Sequence, residues 1–153
     1  MKLKNIINED FTNYKKPSMT IIFPYCTFKC GVEVCQNSAL AQEPNIEIDI
    51  DDIVTRYINN PITEAIVMQG LEPIDSWEDL QDLVIKLRVK TEDDIVIYTG
   101  YNKEEIQEEL HWLKCFSNIV VKFGRFYPNQ KSYQDSVLGV RLASQNQYAE
   151  RIS

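Results

Sequence analysis

Glu64-Ala65-Ile66-Val67-Met68-Gln69-Gly70-Leu71-Glu72-Pro73 runs from an apolar segment into a glycine-bearing turn, and a helical periodicity begins a few residues later. Four consecutive apolar residues after Glu64 suit a strand buried on both faces. Ser76, followed three residues on by Asp79, resembles a capping box in its shorter acidic form. Trp77, Leu80, Leu83, Val84 and Leu87 then mark one face of a helix expected to end near Lys90. One strand, one turn and one helix make a βα unit, and the rest of the chain reads as further copies of that pattern.

Upstream, Met19-Thr20-Ile21-Ile22-Phe23 is a short apolar run stopped by Pro24, a second buried strand. The alternating segment Ile46 to Ile50 leads into a helix predicted over Asp49 to Asn60, with Ile50, Ile53, Val54, Tyr57 and Ile58 on its apolar face and Pro61 ending it. Downstream, Asp94-Ile95-Val96-Ile97-Tyr98 is a third strand that runs into Thr99-Gly100-Tyr101. Asn102 is placed to cap a helix over Lys103 to Leu113, and Asn118 to Phe123 forms a fourth strand before Gly124. Strands alternating with helices of about a dozen residues indicate parallel βαβ units with right-handed crossovers, hence an α/β protein. In such folds ligands sit beyond the carboxyl ends of the strands. Three loops lie there: the one after Phe23, the Gly-Leu-Glu-Pro turn, and Thr99-Gly100-Tyr101.

The loop after Phe23 holds three of the chain's four cysteines, in Cys26-Thr27-Phe28-Lys29-Cys30-Gly31-Val32-Glu33-Val34-Cys35. Three thiolates on one short loop can ligate three corners of an iron–sulfur cluster or three positions of a tetrahedral zinc, and either leaves one coordination position open. At 153 residues the chain suits a single domain, 1–153, large enough to bury a core without metal staples. The loop is therefore expected to serve chemistry. Sixteen Lys and Arg against twenty-three Asp and Glu give a net charge of −7, and no basic tract is interleaved with aromatics, so nucleic-acid binding is disfavoured. The N-terminal residues lack a signal-peptide core, and no stretch reaches the ~18 apolar residues of a membrane span, which points to the cytoplasm. In a reducing compartment, clustered cysteines serve metal or redox chemistry rather than a disulfide framework.

Taken together, Cys26, Cys30 and Cys35 and the turn Gly70-Leu71-Glu72-Pro73 resemble the radical S-adenosylmethionine enzymes, whose methionine-binding turn is commonly Gly-Gly-Glu-Pro. Cys35-Gln36-Asn37 resembles the Cys-His-Asn of the small activating proteins of anaerobic ribonucleotide reductase. The likeness extends to Tyr98-Thr99-Gly100-Tyr101, Gly124-Arg125-Phe126 and Ala143-Ser144-Gln145-Asn146-Gln147, in that family's order. The resemblance implies a partial (βα) barrel, with a [4Fe–4S] cluster on Cys26, Cys30 and Cys35. It implies S-adenosylmethionine held at its methionine end by Gln69 to Pro73 (Gln69, Gly70, Leu71, Glu72, Pro73), with Thr99, Gly100 and Tyr101 lining the same cavity. It also implies an electron donor such as flavodoxin or ferredoxin and, as substrate, a glycyl-radical enzyme partner. No side-chain acid or base is required for cofactor cleavage. The alternatives are a radical enzyme acting on a small molecule or peptide, and a non-catalytic zinc or iron–sulfur interaction module.

The chain departs from that family in two places. Four residues rather than two separate Cys30 from Cys35, and Val34 stands where an aromatic residue usually contacts adenine, for which Phe28 or Tyr25 are the substitutes at hand. Elsewhere the plain readings prevail. Cys115 is expected to be a buried small hydrophobe. His111 sits near a helix end, and the acidic groups at Asp49 to Asp52 and Glu104 to Glu109 fall at or near helix starts, where the dipole favours negative charge. Trp77 and Trp112 follow apolar helical spacing. Arg125 is either a surface ion pair or a contact to substrate or partner, and Gly139 and Asn146 are candidates for a C-terminal turn over the cavity.

Overall fold

A computed structural model describes residues 1–153. In chain order the elements are β1 (Lys2–Leu3), β2 (Asn5–Asp10), β3 (Ser18–Phe23), α1 (Ser38–Gln42), β4 (Ile46–Glu47), α2 (Ile50–Ile58), β5 (Ala65–Gly70), α3 (Trp77–Arg88), β6 (Asp94–Tyr98), α4 (Gln107–Leu113), β7 (Ile119–Phe123), β8 (Tyr133–Asp135), β9 (Val140–Leu142) and β10 (Tyr148–Arg151). Short 3-10 turns at Pro73–Ser76 and Lys103–Glu105 precede α3 and α4.

Six strands form one open sheet in the order β10-β7-β6-β5-β3-β2. The four βα strands, β3, β5, β6 and β7, are parallel neighbours in sequence order, while β2 and β10 pair antiparallel at the two edges. Because each right-handed crossover steps the same way, α2, α3 and α4 all fall on one face. That face holds a core of 23 residues, including Ile53, Val54 and Tyr57 of α2, Leu80, Leu83, Val84 and Leu87 of α3, and Leu110 and Leu113 of α4. The opposite face carries a smaller cluster, where Val67, Val96 and Val120 meet Tyr14, Leu138, Leu142 and Ala149. It is covered only by the N-terminal segment and the β8–β9 hairpin, and the thin cover leaves room for a cavity.

Several boundaries differ from the sequence expectations. Asp49 is the N-cap of α2, its Oδ1 accepting the Asp51 amide at 2.7 Å, rather than its first residue. Ser76 makes no capping bond. The chain after β5 first turns through Pro73–Ser76, and Glu72 caps that turn by accepting the Ile74 amide at 3.1 Å. Pro73 fixes this geometry, since it supplies a φ suited to a first helical turn and has no N–H to satisfy. The helix expected over Lys103 to Leu113 is broken at Ile106 (φ −130°) into a 3-10 turn and the shorter α4. Cys115 is exposed, contrary to expectation, because α4 ends at Leu113 and the residue lies on the turn beyond it. The tryptophans sit half-buried at the margin of the core, edge to face with ring centroids 5.4 Å apart.

Candidate iron–sulfur site

β3 ends at Phe23 and delivers the cysteine loop, which is wound tightly by local bonds. The Gly31 amide reaches the Phe28 carbonyl at 2.9 Å, and the Cys35 amide reaches the Gly31 carbonyl at 3.1 Å. Two sulfurs are already aimed by backbone donors: Cys26 Sγ accepts from the Phe28 amide (3.2 Å) and Cys35 Sγ from the Asn37 amide (3.3 Å). Phe28 holds a positive φ of 53° in this turn, and its ring does not line the site.

The loop is pinned to its neighbours at three points. The Asn37 side-chain amide donates to the Gly70 carbonyl (2.8 Å). The Asp75 carboxylate accepts from the Thr27 amide (2.8 Å) and from the Tyr101 hydroxyl (2.6 Å), and so ties loop, turn and the end of β6 together. The Glu72 amide donates to the Tyr25 carbonyl at 2.9 Å. Gly70 has to be glycine for this close approach. Its φ is +109°, and a Cβ would lie 2.5 Å from Ile22 Cγ2 and 2.8 Å from the Phe23 nitrogen.

Cys26, Cys30 and Cys35 all line one cavity of about 490 Å³, within the roughly 300–1,000 Å³ range of small-molecule sites. Gln69, Gly70, Leu71, Glu72, Thr99 and Gly100 line it too. Pro73 and Tyr101 do not. Pro73 is buried beneath the turn, and Tyr101 closes a small side pocket with Lys29 4.5 Å and Arg125 5.5 Å from its ring centroid. Arg125 also forms a two-pronged pair with Glu105, both contacts at 2.9 Å, which is the ion pair the sequence allowed for, and it lines the cavity as well. Of the C-terminal residues, Asn146 donates to the Arg125 carbonyl (2.7 Å), whereas Gly139 sits against Lys15 away from the cavity.

Glu72 is 4 % exposed, and its two oxygens are both committed, Oε1 to the Ile74 amide and Oε2 to the Gly100 amide at 2.8 Å. Burial pushes its carboxyl up to about 7, against the pull of the Gly100, Thr99 and Ile74 donors. Glu72 is thus a bracket between two loops. Burial likewise raises the Cys26 thiol to about 11, with the nearby Glu72, Asp75 and Cys30 adding to the rise, and raises the Cys30 thiol, with Cys35 beside it. Nucleophilic and redox cysteines have depressed pKa values, whereas a bound metal deprotonates its thiol ligand outright. The raised values speak against a nucleophilic role for Cys26 and Cys30.

No three His, Cys, Asp or Glu side chains converge closely enough to hold a single ion. Cys30 and Cys35 stand side by side, and all three thiols line the one cavity. Tyr98, already part of the Tyr98-Thr99-Gly100-Tyr101 likeness, and Lys122, which the sequence reading placed only in a strand, also line the cavity. The signal for Lys122 was a lysine inside an otherwise apolar strand.

Fold and site together define an α/β iron–sulfur protein with its ligands on a βα loop. Residues 18–148 match the family model described as a 4Fe-4S single cluster domain, and the chain belongs to that family. The family supports a [4Fe–4S] cluster for this chain, and Cys26, Cys30 and Cys35 are the residues that would hold it. No curated protein and no solved structure matches the chain. No helix is long and apolar enough to cross a membrane.

Proposed function

We propose that this is a radical S-adenosylmethionine enzyme whose three-cysteine cluster leaves one iron free to bind the cofactor, and that it activates a glycyl-radical enzyme of the anaerobic ribonucleotide reductase kind in the cytoplasm. The observation that carries the reading is the joining of the cysteine loop to the glycine turn. Asn37 is bonded to Gly70, and both segments face one cavity. When bound, the cluster and cofactor supply a one-electron cleavage of the sulfonium bond that yields a hydrogen-abstracting 5′-deoxyadenosyl radical. The chain's own residues position and shield. Gly70, which has no side chain, lines the cavity with Leu71, Thr99 and Gly100, and Glu72 holds the Gly100 amide. Glu72 serves here as a bracket, its oxygens accepting the Ile74 and Gly100 amides. The sheet is open and no barrel is evident, so the partial barrel belongs to the proposal; what supports it is four parallel strands with α2, α3 and α4 on one face and the cysteine loop following the carboxyl end of β3. The protein substrate and an electron donor such as flavodoxin or ferredoxin would approach the cavity from this end of the sheet.

The test is anaerobic reconstitution with iron and sulfide, then reduction in the presence of S-adenosylmethionine. We expect 5′-deoxyadenosine from the wild-type protein and none from Cys30→Ala. A fully loaded cluster that yields no 5′-deoxyadenosine, with or without a glycyl-radical partner, would refute the catalytic reading and leave a cluster-binding module.

A further inference from the structure

Of the three cysteines on the loop, two are already neighbours. Gly31, with a φ of +90°, turns the chain immediately after Cys30, and the Val34 and Cys35 amides both close back on the Gly31 carbonyl, at 3.3 and 3.1 Å. That single turn brings Cys35 round to Cys30, and the two thiols share a hydrogen bond. The Cys26 sulfur is engaged elsewhere, accepting the Phe28 amide at 3.2 Å. Cys30 and Cys35 are half-buried and line the cavity, so a small molecule entering it meets both sulfurs.

Before a cluster is assembled, two thiols held together in this way can be oxidised to a disulfide by exchange. Only four residues separate them, and a ring that short adds little chain-entropy stabilisation. A bond of this kind belongs with the reducible, regulatory disulfides rather than with the structural ones. Two of the three ligands would then be tied to each other, and Cys26 alone would remain to meet iron.

We propose that Cys30 and Cys35 are a modification site: in the cluster-free chain they form a reversible disulfide that blocks cluster loading until a dithiol reduces it. The oxidant is a low-molecular-weight disulfide of the glutathione class. The Cys35 thiolate attacks it and releases one glutathione thiol, and Cys30 then attacks the Cys35 sulfur of the mixed disulfide and releases the second. Two cysteine thiols thereby lose two electrons and two protons, and one reagent disulfide becomes two thiols. Burial raises the Cys30 thiol, so Cys30 acts second, on a sulfur already beside it, and the exchange is slower than that of a catalytic dithiol. The inference rests on the three-cysteine cluster reading and is independent of S-adenosylmethionine chemistry.

The sequence itself supplies the assay. Trypsin cuts after Lys29 and Arg56, so Cys30 and Cys35 fall on one fragment, while Cys26 and Cys115 fall on two others. Cluster-free protein is incubated with oxidised glutathione, free thiols are alkylated, and the digest is read by mass spectrometry without reduction. We expect the 30–56 fragment to be unalkylated and two hydrogens lighter than its dithiol form, with Cys26 alkylated, and exposed Cys115 reporting that the reagent has acted. Cys26→Ser should keep the internal bond, and Cys35→Ser should leave Cys30 without a disulfide to Cys26. Reconstitution with iron and sulfide, followed by cluster absorbance, should start at least tenfold more slowly from the oxidised protein than from the reduced one, and dithiothreitol should restore the rate. The proposal is overturned if the 30–56 fragment stays doubly alkylated while Cys115 is glutathionylated, if Cys26 is found joined to that fragment, or if oxidised and reduced protein load alike. Reduced wild type that loads no cluster overturns the gate together with the cluster reading, and the digest then still reports whether the bond forms.

Discussion

Gly70 shows how much one residue can decide. Its left-handed backbone lets the end of β5 pass within contact distance of Ile22 and Phe23, and its carbonyl receives the Asn37 amide that anchors the cysteine loop. Gly70→Ala combines a disfavoured φ with a clash against backbone, and we expect a loss of at least about 1–3 kcal/mol in a denaturant titration of the apo protein, with poorer cluster loading. Unchanged stability would mean that the turn has another conformation. Asp75 makes a complementary case, since it holds Thr27 and Tyr101 on separate oxygens. Asp75→Ala should speed proteolysis within residues 26–35 while leaving the melting transition of the core nearly unmoved. Equal protection in variant and wild type would show that the loop is ordered without it.

At the level of elements, the four βα strands were legible because each carries at least three consecutive apolar residues, with Pro24, Gly70, Gly100 or Gly124 at or just beyond its carboxyl end. The 3.6-residue period did the same for α2 and α3. The edge strands were not. β2, Asn5-Ile6-Ile7-Asn8-Glu9-Asp10, is half-polar and mostly exposed, so neither alternation nor a continuous apolar run marks it, and β8, β9 and β10 are only three or four residues long. The break at Ile106 was hidden by the apolar spacing that continues through it. The cysteines and the Gly-Leu-Glu-Pro turn could be read directly, but Lys122 was absorbed into a strand, because membership of a site depends on a rung formed by residues far apart in sequence. Leu83 tests the packing of α3. It is wholly buried in the helix-side core, so Leu83→Ala should cost about 2–5 kcal/mol by chemical denaturation. A cost below about 1 kcal/mol would contradict its placement.

For the whole molecule, the end of the sheet opposite the site is held by charge. Asp94 is buried at the start of β6, and it accepts from Tyr14 (2.9 Å) and pairs with Lys16 (2.8 Å) and Arg151 (2.9 Å). It thereby joins the N-terminal segment, the sheet centre and the edge strand β10. Burial alone would raise its carboxyl, but the bonds from Lys16, Arg151 and Tyr14 outweigh burial and hold it below 3.8. A carboxylate whose folded pKa is depressed contributes stability that is present above its unfolded value and is lost as pH falls through the folded one. The melting temperature should therefore drop steeply below about pH 4, and Asp94→Asn should flatten that part of the profile while costing about 1–3 kcal/mol at pH 7. An unaltered acid limb in the variant would assign the effect elsewhere. This brace leaves the opposite, carboxyl end of the sheet free to carry loops built for ligation, and the central claim is that those loops hold a cluster with one iron not bound by the protein. Mössbauer spectra of the iron-57 reconstituted protein, taken before and after addition of S-adenosylmethionine, test that claim most directly. The account predicts a minority iron component, distinct from the thiolate-bound irons, whose isomer shift rises when the cofactor is added. Four indistinguishable irons, or a spectrum indifferent to S-adenosylmethionine, would contradict it.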